Sequence, residues 1–152
     1  MIELIASCVE DIPYFVSMEQ NAETIEYIIP YSHEKHISEM LKDEIVYLSI
    51  LESQVFVGFI ILANDASSSV EFRRIVIGAN GRGRGLGQLA IQKMELYCQS
   101  ELKAHRIWLD VFDTNLRGQY LYQKLGYQQF DQQNIDGQLL FYFEKKLACT
   151  VN

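Results

Sequence analysis

The chain has 152 residues, 49% hydrophobic and 22% charged, which suits one folded domain over 1–152 and excludes a disordered polymer. Its formal net charge of −7 speaks against nucleic acid as a main partner, and no run approaches the roughly 20 apolar residues of a membrane-crossing helix. Cys8, Cys98 and Cys149 form no Cys-x-x-Cys pair, and Met1–Ala6 carries Glu3 without basic residues, so the expectation is a cytoplasmic protein with no disulfide framework, zinc site, secretory signal or membrane partner.

In chain order, Ile2–Ala6 reads as an opening strand. Ser7 and Glu10 have capping-box spacing, and Ile12, Phe15, Val16 and Met18 follow at near-helical intervals, with Pro13 in the first turn. Pro30 interrupts, and Ser32–Lys42 predicts a second helix with Ile37, Met40 and Leu41 facing inward. Ile45–Leu51 and Val55–Ala63 are β-rich runs joined by Glu52-Ser53-Gln54, an antiparallel hairpin signal. Asn64–Ser69 is a polar turn before a strand at Val70–Ile77. Leu86, Leu89, Ala90, Met94, Tyr97 and Cys98 then recur with helical spacing. Arg106–Phe112 is a strand and Asn115–Leu125 a helix, with Gly126 at the position of a left-handed cap. Leu139–Lys145 is the last strand. The order predicts an α/β layer structure around a mixed sheet, without repeats or long linkers.

The charge is unevenly divided. Residues 1–71 hold 13 of the 20 acids and only Lys35 and Lys42 as cations, a local balance of −11. From Phe72 to Met94 there is no acid, while Arg73, Arg74, Arg82, Arg84 and Lys93 flank glycines at 81, 83, 85 and 87. A solvated basic face has no need of glycine, so this pattern points to a backbone loop that closely approaches an anion. A strand, a glycine-rich turn and a helix bind phosphate through converging N–H groups and the helix dipole. The nucleotide P-loop pattern is absent. Gly85-x-Gly87-x-x-Ala90, with Asp110 twenty residues on, matches a dinucleotide fingerprint, but a long antiparallel-looking segment precedes it.

Read as Arg82-Gly83-Arg84-Gly85-Leu86-Gly87, the loop resembles the Q/R-x-x-G-x-G/A signature of the GNAT N-acetyltransferases, which bind acetyl-CoA. Phe72–Ile77 stands where that family's fourth strand runs, and Trp108–Phe112 followed by Asn115 resembles its fifth strand and turn. Asn115-x-Arg117-x-x-x-Leu121-Tyr122-x-x-Leu125-Gly126-Tyr127 is similar to its N-x-R-A-x-x-L-Y-x-x-x-G-F ending. The likeness is strongest over residues 70–130. It departs at Gly78-Ala79, where Asp-Pro is common, at Gly118 for the usual Ala, and at Tyr127 for the usual Phe. The implied fold is a mostly antiparallel central sheet flanked by helices.

The resemblance also implies a site. The acetyl-CoA pyrophosphate would lie on the N–H groups of Arg82, Gly83, Arg84, Gly85, Leu86, Gly87 and Gln88. The pantetheine arm would pair with the backbone of Ile75, Val76 and Ile77 and with Asn115, and an N–H of Ile75 or Ile77 would polarise the thioester oxygen. Tyr122 matches the tyrosine that protonates the leaving thiolate. Glu71 and Asp110 both stand where relatives carry a base, with Glu71 slightly ahead; an ion pair with Arg73, Arg74 or Arg106 is the other reading of each. Tyr14, Phe15, Tyr27 and Tyr31 fit the acceptor wall, and Phe15 fits core packing equally well. His33, His36 and His105 read as surface histidines and Cys98 as packed, with no metal. The implied activity is transfer of acetyl to a primary amine on a small molecule or protein, by direct attack, and a homodimer is compatible with it. The acidic first half favours a cationic acceptor such as a polyamine, an aminoglycoside-like amine or a basic peptide N-terminus. A catalytically silent CoA-binding sensor and a dinucleotide oxidoreductase remain as alternatives.

Overall fold

The computed structural model describes residues 1–21, 28–65 and 67–148. Ile2–Ala6 (β1) pairs antiparallel with Ile45–Glu52 (β2), β2 with Val55–Asn64 (β3), and β3 with Ser69–Ile77 (β4). The β2–β3 hairpin closes through Ser53 and Gln54 at φ 49° and 70°, the left-handed pair that a two-residue hairpin turn requires. Arg106–Phe112 (β5) runs parallel to β4, and Gln138–Lys146 (β7) runs antiparallel to β5 with Gln128–Ile135 (β6) outside it. The sheet order is β1-β2-β3-β4-β5-β7-β6.

Helices cover the sheet unevenly. Ile12–Glu19 (α1) and His33–Met40 (α2) lie on one face, where Ile12 and Phe15 pack with Tyr47, Phe59, Ile61 and Val76. Leu86–Ser100 (α3) and Leu116–Lys124 (α4) lie on the other, where Leu86, Ala90, Ile91 and Met94 meet Leu48, Ile60, Leu62 and Ile107. Strands β2 and β3 therefore bury both faces and read as near-continuous apolar runs.

Four sequence expectations change. The strand β6 was not predicted, because every residue of Gln-Gln-Phe-Asp-Gln-Gln-Asn-Ile is exposed and no alternation marks it. The cap before α1 belongs to Cys8 and Asp11, whose carboxylate accepts from the Cys8 N–H at 3.0 Å, while Ser7 bonds the Ser49 hydroxyl at 2.7 Å instead. Helix α2 turns His36 and Glu39 inward, with Ile37 and Met40 half-buried, and leaves Leu41 73% exposed. Leu89 is likewise 47% exposed on α3. The Tyr27 and Cys149 assignments lie outside the described residues.

The feature that positions the site is in β4. Ile61 pairs with Arg74 and Leu62 with Phe72, so Arg73 is the extra residue of a β-bulge. A bulge bends its strand and increases its twist. The parallel pairing with β5 holds only from Ser69 to Glu71, immediately before that bend.

Candidate active site

Beyond Glu71 the strands β4 and β5 part, and a cavity of about 470 Å³ opens between Phe72–Ile77 on one side and Asp110–Phe112 on the other. Asn115, Leu121 and Tyr122 close it from α4, and Ile28 and Ile29 stand at its other wall. Past Glu71, β4 is paired only with β3. Its backbone at Ile75–Ile77 therefore presents a free edge to the cavity, able to accept an extended chain as an added strand.

The glycine turn lies where β4 hands over to α3. Gly83 and Gly85 have φ of 78° and 74°, and a Cβ built on either meets nothing within 4 Å. These glycines are thus required by backbone conformation and leave open space over the turn, which fits the approach of a bulky anion. Gly85 caps α3, so the N–H groups of Leu86, Gly87 and Gln88 form its unsatisfied first turn. The side chain of Leu86 points into the core at 5% exposure, so only its backbone is available. Arg82 lines the cavity and binds back to the Ile77 carbonyl at 3.0 Å and Asn21 Oδ1 at 3.1 Å. Arg84 lies outside the lining and pairs with Glu52 Oε1 at 2.6 Å and with the Asn80 carbonyl at 2.8 Å, so one fixes the end of the strand and the other braces the turn.

Asn115 caps α4: its Oδ1 accepts from the Gly118 N–H at 2.9 Å. A Cβ on residue 118 would sit 2.8 Å from Asn115 Nδ2, so any larger residue there would have to shift the capping side chain. Tyr122 lies between Phe72 and Tyr127, with ring centroids 6.1 and 5.9 Å away, and faces the cavity. Among the described residues its hydroxyl makes no hydrogen bond. Burial, and then the charge of Asp110, push its pKa up to about 12.

The two carboxylate candidates differ in setting. Asp110 lines the cavity, and crowding by surrounding protein together with the Glu71 charge raises its pKa, against a smaller opposing pull from Arg73. Glu71 lies outside the lining, and its Oε1 accepts from Arg73 at 2.9 and 3.3 Å. The predicted ion-pair reading thus describes Glu71, while Asp110 is open to the cavity.

The structure adds a buried polar network that local sequence patterns did not reveal. His36, expected at the surface, is fully buried and bonds Glu19 Oε1 at 2.5 Å and the Tyr47 hydroxyl at 2.7 Å. Glu19 also pairs with Arg74. Helical periodicity places inward-facing positions by apolar residues, so a buried His–Glu pair is invisible until the partners are brought together. His33 is at the surface, His105 is exposed, Tyr14 is exposed beside Phe56, and Phe15 is core. Cys98 is buried, as predicted. Among the described residues no group of three or more His, Cys, Asp or Glu could hold a metal ion, and no helix is long and apolar enough to cross a membrane.

A phenol and a carboxylate thus line one cavity between splayed strands, beside a glycine turn with open space over its backbone. Residues 12–127 match the model of the acetyltransferase (GNAT) family, and the chain belongs to that family. It is 50% identical to the uncharacterized N-acetyltransferase YdgE of Bacillus subtilis strain 168 over 46 residues, 30% of this chain and only 29% of that protein. The fold is that of the spermidine N-acetyltransferase from Vibrio cholerae in complex with CoA and spermine, covering 95% of each chain at 20% identity with a TM-score of 0.83. It is also that of the ribosomal-protein-S18-alanine N-acetyltransferase from Escherichia coli, covering 99% of this chain and 97% of the other at 16% identity, again with a TM-score of 0.83. The mixed, mostly antiparallel sheet flanked by helices is thereby established.

Proposed function

We propose that the chain transfers the acetyl group of acetyl-CoA to a primary amine by direct attack within a ternary complex. The observation that carries this reading is the cavity opened where β4 parts from β5, which has Tyr122 and Asp110 in one lining with the free β4 edge at Ile75–Ile77. Acetyl-CoA supplies an activated acetyl thioester. The N–H groups from Arg82 to Gln88 hold its pyrophosphate, the free edge at Ile75–Ile77 and Asn115 hold its pantetheine, and an N–H of Ile75 or Ile77 stabilises the carbonyl oxygen as it gains negative charge.

Asp110 accepts a proton from the incoming ammonium, freeing the nitrogen lone pair that forms the C–N bond. As the C–S bond breaks, the Tyr122 hydroxyl gives its proton to the departing thiolate. The phenolate regains one from the nitrogen that becomes the amide. One proton in all is released, through Asp110, to solvent. The two groups assist each other: once Asp110 holds a proton its charge is gone, and with it that part of the upward shift on Tyr122. Asp110 is preferred to Glu71 as the base because it opens to the cavity, whereas Glu71 tunes it by charge and is itself held by Arg73.

The dinucleotide alternative falls with the family match and with a sheet whose parallel pairing, among the described residues, is confined to β4–β5. The named activities of the fold's neighbours, on spermidine and on a ribosomal-protein alanine, support an amine acceptor in general. The test is to follow thiol release from acetyl-CoA against a panel of primary amines, alongside calorimetric binding of acetyl-CoA. Release that depends on an amine supports transfer. Tight acetyl-CoA binding with no amine-dependent release would instead favour the silent sensor, and tight NADH binding without CoA binding would overturn both.

A further inference from the structure

The wall of the cavity at Ile28 and Ile29 belongs to no helix or strand. Burial does not hold all of it: Ile28 packs on the α1/α2 core, but Ile29 is 76% exposed. Its anchors are polar and come from distant parts of the chain. Arg74, on β4, donates from Nη2 to the Ile29 carbonyl at 2.9 Å and lays its guanidinium 4.0 Å from the centre of the Tyr31 ring. Glu19, at the end of α1, pairs with Arg74 and accepts from the Tyr31 N–H at 3.4 Å. Glu19 is fully buried, and the Arg74 side chain is only 9% exposed. His36, held in turn by the Tyr47 hydroxyl, fixes the other side of the same carboxylate.

A planar guanidinium can make all of these contacts at once, whereas a lysine cannot stack and donate in two directions. The bulge at Arg73 is adjacent, so the element that opens the cavity and the residue that anchors its far wall are neighbours in β4.

We propose that Arg74 and Glu19 are positioning residues that hold the 28–31 segment in place as the acceptor-side wall, and thereby set affinity for the amine and not for acetyl-CoA. The assignment of that wall to the acceptor rests on the function proposed above; the anchoring does not. Glu19 and Tyr31 lie outside the cavity lining and act through Arg74 and Ile29.

The experiment compares Arg74→Lys, Glu19→Gln and Tyr31→Leu by steady-state kinetics in the amine, by calorimetric acetyl-CoA binding, and by amide hydrogen exchange at Ile28, Ile29 and Tyr31. Loss of the guanidinium bond to the Ile29 carbonyl, of the ion pair that orients it, or of its stacking on Tyr31 predicts at least about a tenfold rise in amine KM and in exchange rate, with acetyl-CoA affinity kept within about twofold. If Glu19→Gln fails to fold, the other two variants decide. Amine KM within about twofold of the parent in all folded variants, or amine and acetyl-CoA affinity falling together, would overturn the assignment. If the parent transfers acetyl to no amine, the functional reading fails by itself. Exchange still decides the anchoring: unchanged protection at 28–31 would sink that too.

Discussion

Tyr122 and Asp110 line the same cavity, and the setting of each decides what its substitution should do. Tyr122→Phe keeps the ring that packs between Phe72 and Tyr127 and removes only the hydroxyl proposed as proton donor. Acetyl-CoA affinity should hardly change, while kcat falls by roughly 10²–10⁴-fold, the usual worth of a general acid. An unchanged rate, where chemistry limits, would assign the proton to another group. With its pKa pushed up to about 12, the phenol stays protonated throughout the neutral range and contributes no alkaline limb there. Asp110 must be ionised to act as a base, and its pKa is raised from its ordinary value by crowding and by the Glu71 charge. Activity should therefore be lost as pH falls through that raised value, and Asp110→Asn should abolish this acidic limb more completely than Glu71→Gln. The sign for stability is opposite. A carboxyl whose folded-state pKa is raised binds protons more tightly in the native state, so its contribution declines as pH rises through the unfolded and then the folded value. Asp110→Asn should accordingly raise Tm at neutral pH while lowering kcat, a trade-off typical of functional groups. A lower Tm would show that Asp110 has a structural partner instead.

At the scale of elements, the glycine turn offers a test in which stability and binding separate. Gly85 has φ 74°, so Gly85→Ala should cost about 1–2 kcal/mol in the left-handed region. Gly87 sits within α3 with only Ile77 near an added Cβ, at 3.9 Å, so Gly87→Ala should gain about 0.5–1 kcal/mol. Both should weaken acetyl-CoA binding measured by calorimetry, because both place a methyl group on the surface proposed to receive the pyrophosphate. Unchanged binding in both would remove the loop from the cofactor site. The same turn illustrates what local patterns reveal. Its glycines, the cap at Asn115, the left-handed Gly126 and the strands β2 to β5 were legible because each depends on residues close in sequence or on a continuous apolar run. Edge strand β6 was not, since an exposed strand carries no burial pattern; its remaining cue was the Asp136-Gly137 turn, at φ 53° and 81°. Nor was the acceptor wall. Glu19 meets His36 across 17 positions and Arg74 across 55, and no spacing rule joins residues so far apart. Choosing between Glu71 and Asp110 likewise depended on where β4 leaves β5, a property of the bulge at Arg73.

Over the whole molecule, the contrast between an acidic first half and a basic segment resolves into two parts. Where the halves meet, the charges cancel: Glu19 pairs with Arg74, Glu39 and Glu71 with Arg73, and Glu52 with Arg84. The pairs on Arg73 and Arg74 stand at the cavity wall, and the Glu52–Arg84 pair braces the glycine turn. Glu3, Glu10, Glu34, Asp43 and Glu44, in no ion pair among the described residues, are exposed on the surface. Such charges act at a distance by steering encounter, and salt screens them over a Debye length of about 10 Å at 0.1 M. The acidic half should therefore influence association with a cationic acceptor more than its bound affinity. We expect kcat/KM for a polyamine to fall steeply with added salt, chiefly through KM. The fall should be shallower for a weakly basic amine that is neutral at the assay pH. Glu34→Gln combined with Asp43→Asn and Glu44→Gln should flatten the polyamine slope and leave the neutral amine unaffected, because none of the three lines the cavity. Equal salt dependence for both amines in the parent protein would mean that the acidic surface has no part in selecting the substrate.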